Sequence, residues 1–155
     1  LSKSMVAFLP VVGQIAWLAG TIYFSRTDAE SRRKALDQVL KMCQQSTAVT
    51  VFPEGTRSVD GNLRDKVHLK GVEACHERGI RVCAFAFHGT RYAFPYTMDR
   101  FHTNQRVAVV VGKTFDPGDF QDGPSFARAV WDEVRRSFDE ARRMRLSPDW
   151  ESFGR

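Results

Sequence analysis

The stretch Thr47-Ala48-Val49-Thr50-Val51-Phe52-Pro53-Glu54-Gly55-Thr56-Arg57-Ser58 decides how the chain is read. Its first half is apolar and β-branched, the composition of a buried strand. Pro53 ends the run, and a loop follows to the turn pair Asp60-Gly61. Downstream, residues 67–79 read as a helix with Gly79 as its stop. Residues 80–87 and 106–111 read as further strands. Asp116-Pro117-Gly118-Asp119 and Asp122-Gly123-Pro124 mark turns. Ser125 is the expected cap of a last helix, in which Phe126, Val130, Val134, Phe138 and Ala141 recur at helical spacing. Upstream, Thr27-Asp28-Ala29-Glu30 matches a capping box. The helix it opens carries Leu36, Val39, Leu40 and Cys43 on one face, with Arg32, Arg33 and Lys34 on a solvated one. Strands alternating with helices predict an α/β fold: a mostly parallel central sheet flanked by helices. The domain is expected to span residues 1–146, with 147–155 as a tail.

Residues 5–24 are the most apolar part of the chain, but Pro10, Gly13 and Gly20 interrupt them. A short helix over 10–19 and a strand over 21–25 fit better than a membrane span. Phe8, Leu9, Ile15, Trp17 and Leu18 would suit an interfacial helix. The 155 residues, 43% hydrophobic and 26% charged, fit one globular domain with a real core. The net charge of +5 favours anionic partners. Nucleic acid is set aside, because no helix-turn-helix, zinc or RNA-recognition signature accompanies the charge. Cys43, Cys75 and Cys83 lack metal-ligand spacing and read as reduced, buried thiols. Arg135, Arg136, Arg142, Arg143 and Arg145 give the last helix a solvated basic face. Trp131 and Trp150 read as packing residues. The chain opens on Leu1 with no leader-like features and is expected to begin inside a longer protein.

Arginines recur after the strands. Arg26 follows residues 21–25, Arg57 follows 47–52, and Arg91 follows 80–87 in a second Gly-Thr-Arg tripeptide. If the strands run parallel, all three arginines lie beyond one carboxyl edge, where open α/β sheets bind ligands. The chemistry suits phosphate. Gly55 lets backbone approach an anion, Thr56 offers a hydroxyl and an N–H, and a guanidinium grips phosphate oxygens in pairs. Glu54 is placed to orient Arg57 or to accept from a substrate hydroxyl.

The segment Phe52-Pro53-Glu54-Gly55-Thr56-Arg57-Ser58 resembles the central signature of the glycerolipid acyltransferases, the 1-acyl-sn-glycerol-3-phosphate acyltransferase family. Leu9-Pro10, Gly13 and the run from Gly20 to Arg26 are similar to the family's preceding block. Asp60-Gly61-Asn62 with Lys70-Gly71, and Val109-Val110-Val111-Gly112-Lys113, are similar to its later ones. The resemblance implies a glycerol-3-phosphate acyltransferase-like fold. It also implies acyl transfer from acyl-CoA or acyl carrier protein to a lysophospholipid acceptor, lysophosphatidic acid to phosphatidic acid, in phospholipid biosynthesis. Substrate binding falls to Glu54, Gly55, Thr56, Arg57, Arg26 and Arg91. No cofactor or metal is implied beyond the acyl thioester donor. The expected setting is an anionic membrane surface on its cytoplasmic face.

Two departures stand out. The family places a His-x4-Asp motif ahead of the arginine block. Its histidine is the general base on the acceptor hydroxyl, and its aspartate orients the imidazole. The four histidines here, His68, His76, His88 and His102, are followed five residues on by Glu73, Arg81, Ala93 and Val107, so none has the aspartate. His68 reads as a surface or core residue, and His88, at a strand end, as the better stray candidate. Ala84 stands where the family carries a proline. The catalytic pair is therefore expected upstream of Leu1, and residues 1–155 alone are expected to be inactive. The alternative is a non-catalytic lipid- or phosphate-binding relative.

Overall fold

The computed structural model describes residues 2–3, 23–24, 28–45, 48–93 and 102–147. The chain divides into two compact units, Leu1–Val51 and Phe52–Arg155. In the first, β1 (Ser2–Lys3) pairs in parallel with β2 (Tyr23–Phe24). The strand expected over 21–25 is thus seen at its centre, while the helix expected over 10–19 lies outside the described residues. Helix α1 (Ala29–Gln44) buries Ala35, Val39 and Leu40. Its cap is Asp28, one residue later than the capping box predicted. The carboxylate of Asp28 accepts from the Glu30 and Ser31 N–H groups at 3.0 and 3.1 Å. An aspartate caps as well as a threonine and adds a negative charge at the positive end of the helix dipole.

The second unit holds α2 (Lys70–Glu77), β3 (Val82–His88), a four-residue helix α3 (Thr90–Ala93), β4 (Ala108–Phe115) and the long α4 (Gly123–Leu146). Gly79, at φ +64°, ends α2 as expected. The Gly79 N–H donates to the His76 carbonyl and the Ile80 N–H to the Cys75 carbonyl, the paired bonds of a Schellman turn. Asp122, not Ser125, caps α4: its Oδ1 accepts from the Ser125 N–H at 2.7 Å, and the Ser125 hydroxyl returns a bond to the Asp122 carbonyl. Placing Pro124 inside the first turn of the helix forces this shift, since proline fits there at no hydrogen-bonding cost.

The expected mostly parallel sheet is corrected here. Among the described residues the long pair, β3 with β4, is antiparallel, with Phe85 opposite Val111 and Phe87 opposite Val109. Residues 48–52 form no strand, and Val51 and Phe52 are exposed. A β-branched run makes a strand only if a neighbour takes its backbone groups. Phe52 reaches β3 through its ring instead, 6.3 Å from Phe85 and 5.8 Å from Phe87.

Helix α4 lies along one face of the β3–β4 pair, and α2 packs against the same helix. Strand alternation sets the two faces. Ala84, Ala86 and His88 of β3, with Ala108 and Val110 of β4, are buried. Phe85, Phe87, Val109 and Val111 lie on the opposite face, where Val109 and Val111 are exposed. One core cluster joins Val72 of α2 to Phe126, Ala127 and Val130 of α4. Phe126 is fully buried and contributes about 2–3 kcal/mol. No described helix is long and apolar enough to cross a membrane.

Candidate functional site

The signature loop is built from short backbone bonds. The Gly55 N–H donates to the Phe52 carbonyl at 3.0 Å, closing a turn with Pro53 at its second position. Gly55 has φ +67°, where a residue with a Cβ would be strained. The His68 N–H donates to the Pro53 carbonyl at 2.8 Å, so residues 53–68 form a loop closed at its base. Inside it, Glu54 Oε2 accepts from the Arg64 N–H at 3.2 Å. Burial pushes the Glu54 carboxyl up, and the bond from Arg64 works against that shift. At the tip, Asp60 accepts from the Asn62 N–H and side-chain amide at 3.0 and 2.8 Å, and these bonds hold its carboxyl below the ordinary range.

The result separates the roles of the signature side chains. Glu54 is half-buried and fixes the loop to itself, whereas Thr56 and Arg57 are exposed. The loop thus presents a hydroxyl, a guanidinium and a backbone that a glycine leaves open, a donor set suited to an oxyanion. Arg91 is brought to the same loop, but by a backbone contact. Its Nη1 donates to the Asp60 carbonyl at 2.6 Å. Arg26 lies outside the described residues, so of the three arginines expected at one rim only Arg57 and Arg91 are described.

The two histidines weighed from sequence part ways: His68 is a surface residue, as expected, and His88 is not an open strand-end candidate. His68 is exposed, and its ring stands over Gly55, whose missing Cβ would lie 3.5 Å from His68 Cδ2. Nothing in the local sequence pairs these two residues; the loop closure at Pro53 does. His88, the stray candidate, is buried on the α4 side of β3, with its ring 5.3 Å from that of Phe138. Burial, then the charges of Arg145 and Arg142, hold its imidazole below its ordinary pKa. It sits on the sheet face opposite the Phe52 ring and is no substitute base for the loop.

Residues 1–86, more than half the chain and including the loop to its closing His68, match the Acyltransferase family. A 1-acyl-sn-glycerol-3-phosphate acyltransferase of Chlamydomonas reinhardtii is 28% identical over 118 residues, 76% of this chain and 35% of that protein. A chloroplastic 1-acyl-sn-glycerol-3-phosphate acyltransferase of Arabidopsis thaliana is 26% identical over 114 residues, 73% of this chain and 32% of its own length. The chain therefore spans about a third of the length of these curated relatives. The crystal structure of the 1-acyl-sn-glycerophosphate acyltransferase PlsC from Thermotoga maritima superposes with a TM-score of 0.71 at 22% identity, covering 91% of this chain and 55% of that one. The fold is thus shared with PlsC. With the family match running through the loop that exposes Thr56 and Arg57, the chain belongs to the Acyltransferase family.

Proposed function

We propose that this chain is the acceptor-gripping part of an enzyme that acylates a phosphorylated glycerol lipid, converting lysophosphatidic acid to phosphatidic acid in phospholipid biosynthesis. The observation that carries the reading is the closed loop 53–68, in which Glu54 bonds the loop's own backbone while Thr56 and Arg57 are exposed. Arg57 and Thr56 bind the acceptor phosphate, and Arg26 is the expected second guanidinium. The acceptor hydroxyl attacks the thioester carbonyl of acyl-CoA or acyl carrier protein. The new carbon–oxygen bond forms, the carbon–sulfur bond breaks, and the hydroxyl proton, taken first by a base, passes on to the departing sulfur to give the free thiol. That base is the histidine of a His-x4-Asp pair, which residues 1–155 do not contain. The net charge of +5 supports work at an anionic membrane surface on its cytoplasmic side.

The test is acceptor kinetics in the full-length protein. Loss of a charge-assisted bond costs about 1.5–3 kcal/mol, so Arg57→Ala should raise the acceptor KM about ten- to a hundredfold and leave the donor KM nearly unchanged. An unchanged acceptor KM would remove Arg57 from the site. The alternative reading is a non-catalytic lipid- or phosphate-binding relative, with which the want of an aspartate five residues after any histidine in residues 1–155 is also compatible. Under it, the full-length protein binds lysophosphatidate in an Arg57-dependent way without turning it over.

A further inference from the structure

The two Gly-Thr-Arg tripeptides look alike in sequence, but the second does different work. Gly89 has φ +107°, and a Cβ there would collide with the Arg106 carbonyl oxygen and stand 2.7 Å from Arg145 Cδ. The chain turns tightly at this glycine, and the Tyr92 N–H bonds back to its carbonyl at 3.0 Å. The Tyr92 ring lies beneath the Arg145 guanidinium, 4.1 Å from its carbon, while Arg145 Nε donates to the Arg106 carbonyl at 3.0 Å. Helix α3 is thereby held to α4 and to the segment entering β4. From this fixed base Arg91 extends to the signature loop. Its Nη1 meets the Asp60 carbonyl, and its stem lies so close to Gly61 that a Cβ there would be 3.0 Å from Arg91 Cδ. A guanidinium already committed to a carbonyl at 2.6 Å is a brace.

We propose that Arg91 is a positioning residue that ties the tip of loop 53–68 to the sheet end, and that it acts on the acceptor only through Arg57. This rests on the acyltransferase reading above for its functional half; the bracing half stands on geometry. Gly61, at φ +82°, belongs to the same device, since it accommodates both the turn and the Arg91 stem.

Two measurements on the full-length protein test it. In hydrogen–deuterium exchange, Arg91→Ala should speed exchange across 53–68 about tenfold while leaving α4 unchanged, and Arg91→Lys should restore part of the protection. The α4 segment reports any general failure to fold. In kinetics, Arg91→Ala should raise the acceptor KM in the wild-type background and have no further effect in Arg57→Ala. Unchanged loop exchange, or acceptor effects of the two substitutions that multiply, would make Arg91 an independent ligand and overturn the proposal. If the wild-type protein transfers no acyl group, the acyltransferase reading fails while the exchange result still decides whether Arg91 is a brace.

Discussion

Glu133 of α4 sends its carboxylate into the sheet, where Oε1 accepts from the Lys113 backbone N–H of β4 at 2.9 Å. Arg136, one turn along, grips the same carboxylate twice, Nε to Oε2 at 2.9 Å and Nη2 to Oε1 at 2.6 Å. These bonds, the guanidinium first and the Lys113 N–H after it, hold the carboxyl down to about 2 from an ordinary 4.5. Because the folded value is depressed, the pair stabilises fully above the ordinary value, and the gain is lost as pH falls from about 4.5 toward about 2. Glu133→Gln should lower stability at neutral pH and flatten its decline across that window. Urea midpoints measured from about pH 6 to about pH 2 check this; an unaltered acid slope would count against it.

Next to that bond, Gly112 lets helix and sheet approach. A Cβ on it would stand 2.6 Å from Ser137 Oγ and 2.7 Å from Glu133 Oε1. Gly112→Ala should therefore cost about 1–3 kcal/mol, as overpacking does. Ser137→Ala should go the other way. Its hydroxyl is wholly buried with no partner among the described residues, so removing it should be neutral or stabilising by up to about 1 kcal/mol. Denaturant unfolding of the two single variants reads both signs.

Much of this was legible in the sequence, and the failures have physical causes. The apolar repeat of α4 marked its buried face: Phe126, Val130, Phe138 and Ala141 are buried, and Val134, of the same repeat, is half-buried at its margin. The loop 53–62 was found because its residue types are restricted by chemistry, not by distant partners. What could not be read depends on partners far along the chain. Residues 47–52 have strand composition, but their pairing is decided elsewhere, and Phe52 meets β3 by its ring alone. Arg57 and Arg91 end the same tripeptide, and nothing in it foretells the bond from Arg91 to the Asp60 carbonyl. Gly112 looks like a weak point in a strand until Glu133 and Ser137 are placed against it.

Gly55→Ala tests the loop's backbone apart from its side chains. The position has φ +67°, and the nearest atom to a new Cβ is His68 Cδ2 at 3.5 Å, an ordinary contact. The cost is thus conformational, about 1–2 kcal/mol, and is concentrated in the loop. Thermal unfolding should shift slightly, while acceptor KM should rise in the full-length protein, because Thr56 and Arg57 leave the turn at an altered angle. A large drop in melting temperature with normal acceptor KM would mean that the turn serves the fold and not the ligand.

His88 supplies the last test. It is buried against Phe138, with its Nδ1 unpartnered among the described residues, and its imidazole is held below the ordinary 6.5 by burial and by the charges of Arg145 and Arg142. The unfolded chain therefore takes up a proton near pH 6.5 that the folded one refuses until lower pH. Stability should be full above that value and decline as pH falls through it, levelling off once the folded imidazole also protonates. His88→Leu fills the same apolar site without a titrating group. It should abolish the decline between neutral and mildly acidic pH and leave acyl-acceptor kinetics untouched. If the substitution preserves the pH slope, that slope belongs to another group; if it raises the acceptor KM, His88 is closer to the chemistry than its place on the α4 face allows.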